Sequence, residues 1–123
     1  MSRDPILTFR LPLPQRDTSP NARVHPQVRA KATASMRQYA WATTLSALEG
    51  CDFPRAARQY TLSLTYCLPD RRRRDLDNLF SASKAQRDGI ADALLVDDVV
   101  FEYGRITRLY GEPPGLIVSV VAA

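Results

Sequence analysis

A chain of 123 residues suits one domain over 1–123 and can bury one core without staples. Apolar residues make up 45% and charged residues 24%, ordinary values that exclude a disordered, collagenous or coiled-coil chain. Seventeen Lys and Arg against 13 Asp and Glu give +4, and no apolar run approaches the roughly 18 residues of a membrane span.

The opening Met1-Ser2-Arg3-Asp4-Pro5 lacks a basic start followed by an apolar stretch. No secretory leader is expected, and a cytoplasmic protein is. From Ile6 to Leu13, Leu7, Phe9, Leu11 and Leu13 alternate with Thr8, Arg10 and Pro12, which is the period of a strand. Pro12 and Pro14 remove ladder donors, so this strand is predicted at a sheet edge. Residues 15–26, rich in Pro, Ser, Asn and Arg, read as an ordered loop. A helix is predicted over 27–48, where no Gly or Pro interrupts, with Gly50 placed to cap it. Its Tyr39, Trp41 and Leu45 are read as core or interface rather than as a base-stacking platform.

The next strand is predicted over Arg58 to Cys67. Tyr60, Leu62, Leu64 and Tyr66 fall on one side; Thr61, Ser63 and Thr65 fall on the other. After the run Pro69-Asp70-Arg71-Arg72-Arg73-Arg74-Asp75-Leu76-Asp77-Asn78, a single helix is predicted to Leu94. Its inward candidates are Leu79, Ala82, Ile90, Ala93 and Leu94. Val99 to Leu109 and Leu116 to Val121 read as two closing strands. The short Gly111–Gly115 connection makes them an expected antiparallel pair. The order β-α-β-α-β-β defines an α+β fold: a two-layer sandwich of four mixed strands with two helices packed on the sheet. Cys51 and Cys67 lack metal-ligand spacing and are read as buried reduced thiols. With one histidine, His25, the composition argues against a zinc site.

The charges are strongly biased in kind. Fifteen of the 17 cations are arginine, whose planar fork suits phosphate and guanine edges. Seven of the ten aspartates lie between Asp70 and Asp98. Asp75 and Asp77, two apart in extended chain, point to one side and can reach one hard cation. Mg²⁺ takes oxygen ligands in near-octahedral geometry. A third carboxylate would come from Asp97-Asp98, beyond the following helix. Asp77 is equally suited to cap that helix, and Asp97-Asp98 to form a plain turn. Arg71 to Arg74 is either a solvated charge run or a grip on phosphates flanking the acids.

These residues resemble the RusA family of Holliday junction resolvases, found in bacteria, phages and prophages. The resemblance rests on Pro69 to Leu79, then Asp88, then Asp97-Asp98-Val99. Leu11-Pro12 and Ser19-Pro20-Asn21-Ala22-Arg23 are similar to that family's opening loop. The resemblance implies a homodimeric, Mg²⁺-dependent endodeoxyribonuclease that cuts four-way DNA junctions by paired nicks in recombination and repair, with Mn²⁺ substituting. It places the metal-binding catalytic aspartates on Asp75, Asp77 and Asp98, with Asp97 as the alternative third. No membrane or small-molecule cofactor is implied. Arg71, Arg72, Arg73 and Arg74 would track the DNA backbone, with Arg23 and Lys31 as weaker candidates. Where the family has a lysine four residues after the second aspartate, this chain has Ser81. Lys84, which precedes Asp88 by four, is taken as its equivalent. At about 100° per residue, seven positions after Asp77 leave it near the same helix face, about one turn further on. The rival readings are a non-cleaving binder of branched DNA, a nuclease for other DNA shapes, and a structural domain with no DNA role.

Overall fold

A computed structural model describes Asp4 and residues 6–123; apart from Asp4, the stretch read above for a leader lies outside the described residues. The fold is α+β. Strand β1 spans Ile6–Leu11, β2 Tyr60–Leu68, β3 Phe101–Tyr110 and β4 Gly115–Ala122. Helix α1 spans Pro26–Leu48, α2 Leu76–Ala82 and α3 Lys84–Leu94. One four-stranded mixed sheet has the order β1-β4-β2-β3. Strand β4 runs antiparallel to both β1 and β2, and β3 runs parallel to β2. Among the described residues, no helix is long and apolar enough to cross a membrane.

The period-two patterns hold. Tyr60, Leu62, Leu64 and Tyr66 are fully buried, whereas Thr61, Ser63 and Thr65 are half-buried. With Leu7, Leu11, Val118 and Val120 they form one core, joined by Ala40 of α1 and by Ile90, Ala91 and Leu94 of α3. Each fully buried side chain of this size contributes about 1.5–3 kcal/mol. Strand β1 lies at an edge and ends at Leu11, before the prolines. His25 caps α1, its Nδ1 accepting from the Gln27 N–H at 3.1 Å, and Pro26 takes the first turn. Gly50, just past the Glu49 cap, adopts φ +70°.

Several expectations are corrected. Strands β3 and β4 do not pair; β4 enters between β1 and β2, leaving β3 at the edge. The connection crosses β2, a step of about 9.6 Å. Chemistry explains the choice. Glu102, Arg105, Arg108 and Leu109 of β3 are exposed, whereas Leu116, Val118 and Val120 of β4 are fully buried. The predicted single second helix is two. Ser83 breaks it, its Oγ donating to the Phe80 carbonyl at 2.8 Å and accepting from the buried Tyr66 hydroxyl at 2.8 Å. Because Ser83 spends its one proton on Phe80, Tyr66 donates, and burial pushes the Tyr66 hydroxyl pKa up. Cys67 is buried, but Cys51 is exposed. Tyr39 and Trp41 are 56% and 41% exposed, so neither belongs to the core.

Candidate active site and nucleic-acid interface

The parallel β2–β3 pair fixes where the candidate residues fall. The arginine run follows the end of β2, and Asp97-Asp98 precedes the start of β3, so a crossover the length of a strand separates them. Nine residues of β2 make this about 30 Å. Helices α2 and α3 carry the chain back along β3. At the far end, Arg108 donates to the Arg74 carbonyl at 2.8 Å, and the Arg71 guanidinium sits 4.8 Å from the centroid of the Tyr110 ring. Midway, Phe80 meets Tyr103 edge-on with ring centroids 5.0 Å apart. At the near end, Lys84 reaches Asp98.

At the far end, Asp70 organises the arginines. Its Oδ1 accepts from the Arg72 N–H at 2.9 Å and from Arg74 at 2.8 Å. These bonds, Arg74 first, lower the Asp70 pKa below the usual carboxylate range. Arg72 and Arg73 stay exposed. Asp75, rather than Asp77, is the N-cap of α2, although its side chain makes no capping bond. Its carboxylate lies 3.9 Å from Arg73. Asp77 falls inside the first turn of α2 and is exposed. The two acids therefore do not share one extended stretch. Ser81 is exposed.

At the near end, the Lys84 Nζ donates to Asp88 Oδ1 at 2.6 Å and to Asp98 Oδ2 at 2.7 Å. Asp88 and then Asp98 raise the Lys84 pKa above its ordinary value, and Lys84 chiefly holds Asp98 low. Asp97 is engaged differently: its Oδ1 caps the Val99 N–H at 3.2 Å. These residues line a cavity of about 390 Å³ with Arg37 and Asp92. There Arg37 of α1 grips Asp92 of α3 with two bonds of 2.7 and 2.9 Å.

Carboxylate oxygens are the right donor type for Mg²⁺. Their placement is a different matter. Among the described residues, no group of three or more His, Cys, Asp or Glu side chains is gathered as a metal ion requires. Asp75 lines the cleft beside the arginine run, whereas Asp98 lines the second cavity and takes Lys84. Arg23 and Lys31 are exposed and line neither cavity.

Three residues of the site carried too little sequence signal to be singled out. Arg16 lines the same cleft as Arg72, Arg73 and Arg74. Arg37 pairs with Asp92 from another helix. Arg87 is 7% exposed, its guanidinium 3.8 Å from the Phe80 ring centroid and donating to the Tyr103 hydroxyl at 3.1 Å. Each depends on a contact between segments distant in sequence. Only the general excess of arginine hinted at them.

An uncharacterized protein of Xylella fastidiosa (strain Temecula1 / ATCC 700964) is 43% identical to this chain over 92 residues. The match covers 74% of this chain and 60% of that protein, so the chain spans less than two thirds of its relative's length. No family model matches.

Proposed function

We propose that this chain is a structure-specific, metal-dependent endodeoxyribonuclease of the RusA type, resolving four-way DNA junctions by paired nicks. The observation that carries the reading is the contact of Lys84 with Asp98. The lysine offset from the family position and the sequence-distant aspartate meet at 2.7 Å. The arginine run adjoining Asp75 supports it as a seat for the phosphates that flank a scissile bond. The carboxylates this reading offers to Mg²⁺ or Mn²⁺ are Asp75, Asp77 and Asp98, with Asp97 as the alternative, although among the described residues they are not gathered as one ion requires: Asp75 lies beside the arginine run and Asp98 with Lys84. Lys84 presents a cation beside Asp98 that can offset charge gathering on a phosphoryl group. The reading includes a cytoplasmic two-layer domain acting as a homodimer, because a two-fold pair presents two equivalent sites for symmetric cuts. The exposed Tyr39 and Trp41 suit a subunit interface. A phage or prophage source fits the resemblance.

A non-cleaving binder of branched DNA is the second reading, favoured by the dispersed carboxylates and by Ser81 at the family's lysine position. One experiment separates the two: cleavage of a labelled four-way junction with Mg²⁺ and with chelator, beside linear duplex and Asp77→Asn. Paired nicks near the crossover, only with metal and only in the wild type, are expected. Asp77→Asn should still bind the junction, since removing a charge relieves repulsion from phosphate. Full cleavage by Asp77→Asn would reject the site assignment. Tight binding without cutting in Mg²⁺ or Mn²⁺ would establish the binder, and preferential cutting of flaps or duplex a different nuclease.

A further inference from the structure

Between the loop after β1 and the arginine run lies a cleft of about 650 Å³, within the roughly 300–1,000 Å³ of small-ligand pockets. Its base is apolar: Leu13 and Leu79, both half-buried, with the buried Leu68. Its rim is cationic and exposed, with Arg16 on one wall and Arg72 and Arg73 on the other. Among the described residues, neither Arg16 nor Arg72 has a carboxylate within ion-pair distance. Asp75, at the start of α2, is part of the lining, and so is the Asn78 amide.

Both walls are held in place before any ligand arrives. Thr18 donates to the Ala82 carbonyl at 3.0 Å, and Gln86 to the Pro12 carbonyl at 2.8 Å. Arg29 ties down the Ser19 and Ala22 carbonyls at 3.1 and 2.8 Å. On the opposite wall, Asp70 satisfies Arg74 and leaves Arg72 free. A stacked duplex offers phosphates and groove edges, which require cations but no apolar floor. A nucleotide turned out of the stack offers an apolar base face between two flanking phosphates.

We infer that this cleft receives one unpaired nucleotide of the branched DNA, its base against Leu13, Leu68 and Leu79 and its phosphates on Arg16 and Arg72. The inference rests on the DNA reading above and goes beyond it. It makes an unstacked base, rather than the four-way geometry alone, the feature recognised. It also delivers a phosphodiester to Asp75.

The test is binding, not cleavage, and runs in chelator at fixed ionic strength, since phosphate contacts are salt-dependent. The probe is a branched duplex with one unpaired nucleotide, either intact or abasic at that position; linear duplex is the control. Intact probe should bind about tenfold tighter than abasic probe. Arg16→Ala, at an exposed position, should weaken the intact probe more than it weakens linear duplex. Equal affinity for intact and abasic probes would overturn the cleft while leaving the DNA reading standing. Absence of binding to any of the DNAs would overturn both.

Discussion

Gly89 is where α3 touches α1, and Gly89→Ala tests how closely that contact is set. A β-carbon at this position would run into the backbone carbonyl of Arg37, and would lie 2.9 Å from the Ala40 Cβ and 3.0 Å from the Trp41 nitrogen. Two effects oppose each other. Alanine in a helix interior gains about 1 kcal/mol over glycine. Overpacking costs about 1–3 kcal/mol, toward the upper end where the obstacle is backbone that cannot rotate away. The steric term wins, for a net loss of about 1–2 kcal/mol. Thermal melts should show a midpoint lowered by roughly 3–8 °C. Denaturant titrations should show a lower midpoint at unchanged slope. The wider helix spacing should also loosen the bidentate Arg37–Asp92 pair, which bridges these same helices. A variant as stable as the wild type would refute the close approach of α1 and α3.

Lys84→Ala should abolish junction cleavage and lower stability modestly, since the Lys84 side chain is 54% exposed. The stability difference should be present near neutral pH and close at both extremes. Asp98, held low by Lys84, loses its contribution as pH falls through its lowered pKa; Lys84, held high by Asp88 and Asp98, loses its own as pH rises through its raised pKa. Melts of both proteins across pH check this, and a difference that grows toward acid would contradict it. Arg87 is 7% exposed, and among the described residues its Nε makes no hydrogen bond and no carboxylate lies within ion-pair distance of it. Arg87→Met, which keeps much of the stem, should fall within about 1 kcal/mol of wild type or above it. Arg87→Ala should lose about 2 kcal/mol or more through lost packing against Phe80 and Tyr103. Urea titration of the pair decides, and a methionine variant as unstable as the alanine one would show that the buried charge itself stabilises the fold.

What the sequence reveals follows the range of the interaction. The alternation in β2 and the prolines after β1 are local signals, and both elements lie where they direct. The β3–β4 pairing rested on a short connector, yet tight turns specify pairing only where the turn chemistry does. Gly111-Glu112-Pro113-Pro114 supplies no two-residue hairpin turn. The charged β3 belongs at an edge and the apolar β4 inside, and that contrast in burial outweighed chain proximity. Trp41 and Tyr39 read as apolar partners of something, but the α1 positions buried in this chain are Ala32, Met36, Ala40 and Thr44. At the site, the acids stand out in one segment. Asp88 meets Lys84 from one turn along the same helix, a local relation, whereas Asp98 meets it only because the chain folds back after α3. Arg16 is similar to Asp98, since it gains its role from the arginine run with which it lines a cleft.

The position of Lys84 shows how a core contact sets the site. A continuous helix from Leu76 would fix the lysine by helical phase alone. Instead the chain stops at Ser83, where backbone angles of φ −91° and ψ 9° interrupt α2. The interruption is tied to the core through Tyr66, whose hydroxyl reaches Ser83 from the fully buried face of β2. Helix α3 then begins at Lys84, placing Asp88 one turn on along the same face. After Leu94 the chain doubles back through Leu95, in the left-handed conformation at φ 62°. That reversal brings Asp98 to the other side of the ammonium group. The lysine–aspartate contact on which the functional reading depends is therefore a consequence of a tyrosine in the sheet and a helix break. Counting seven residues from Asp77 reaches Lys84 but does not show that Asp98 meets it.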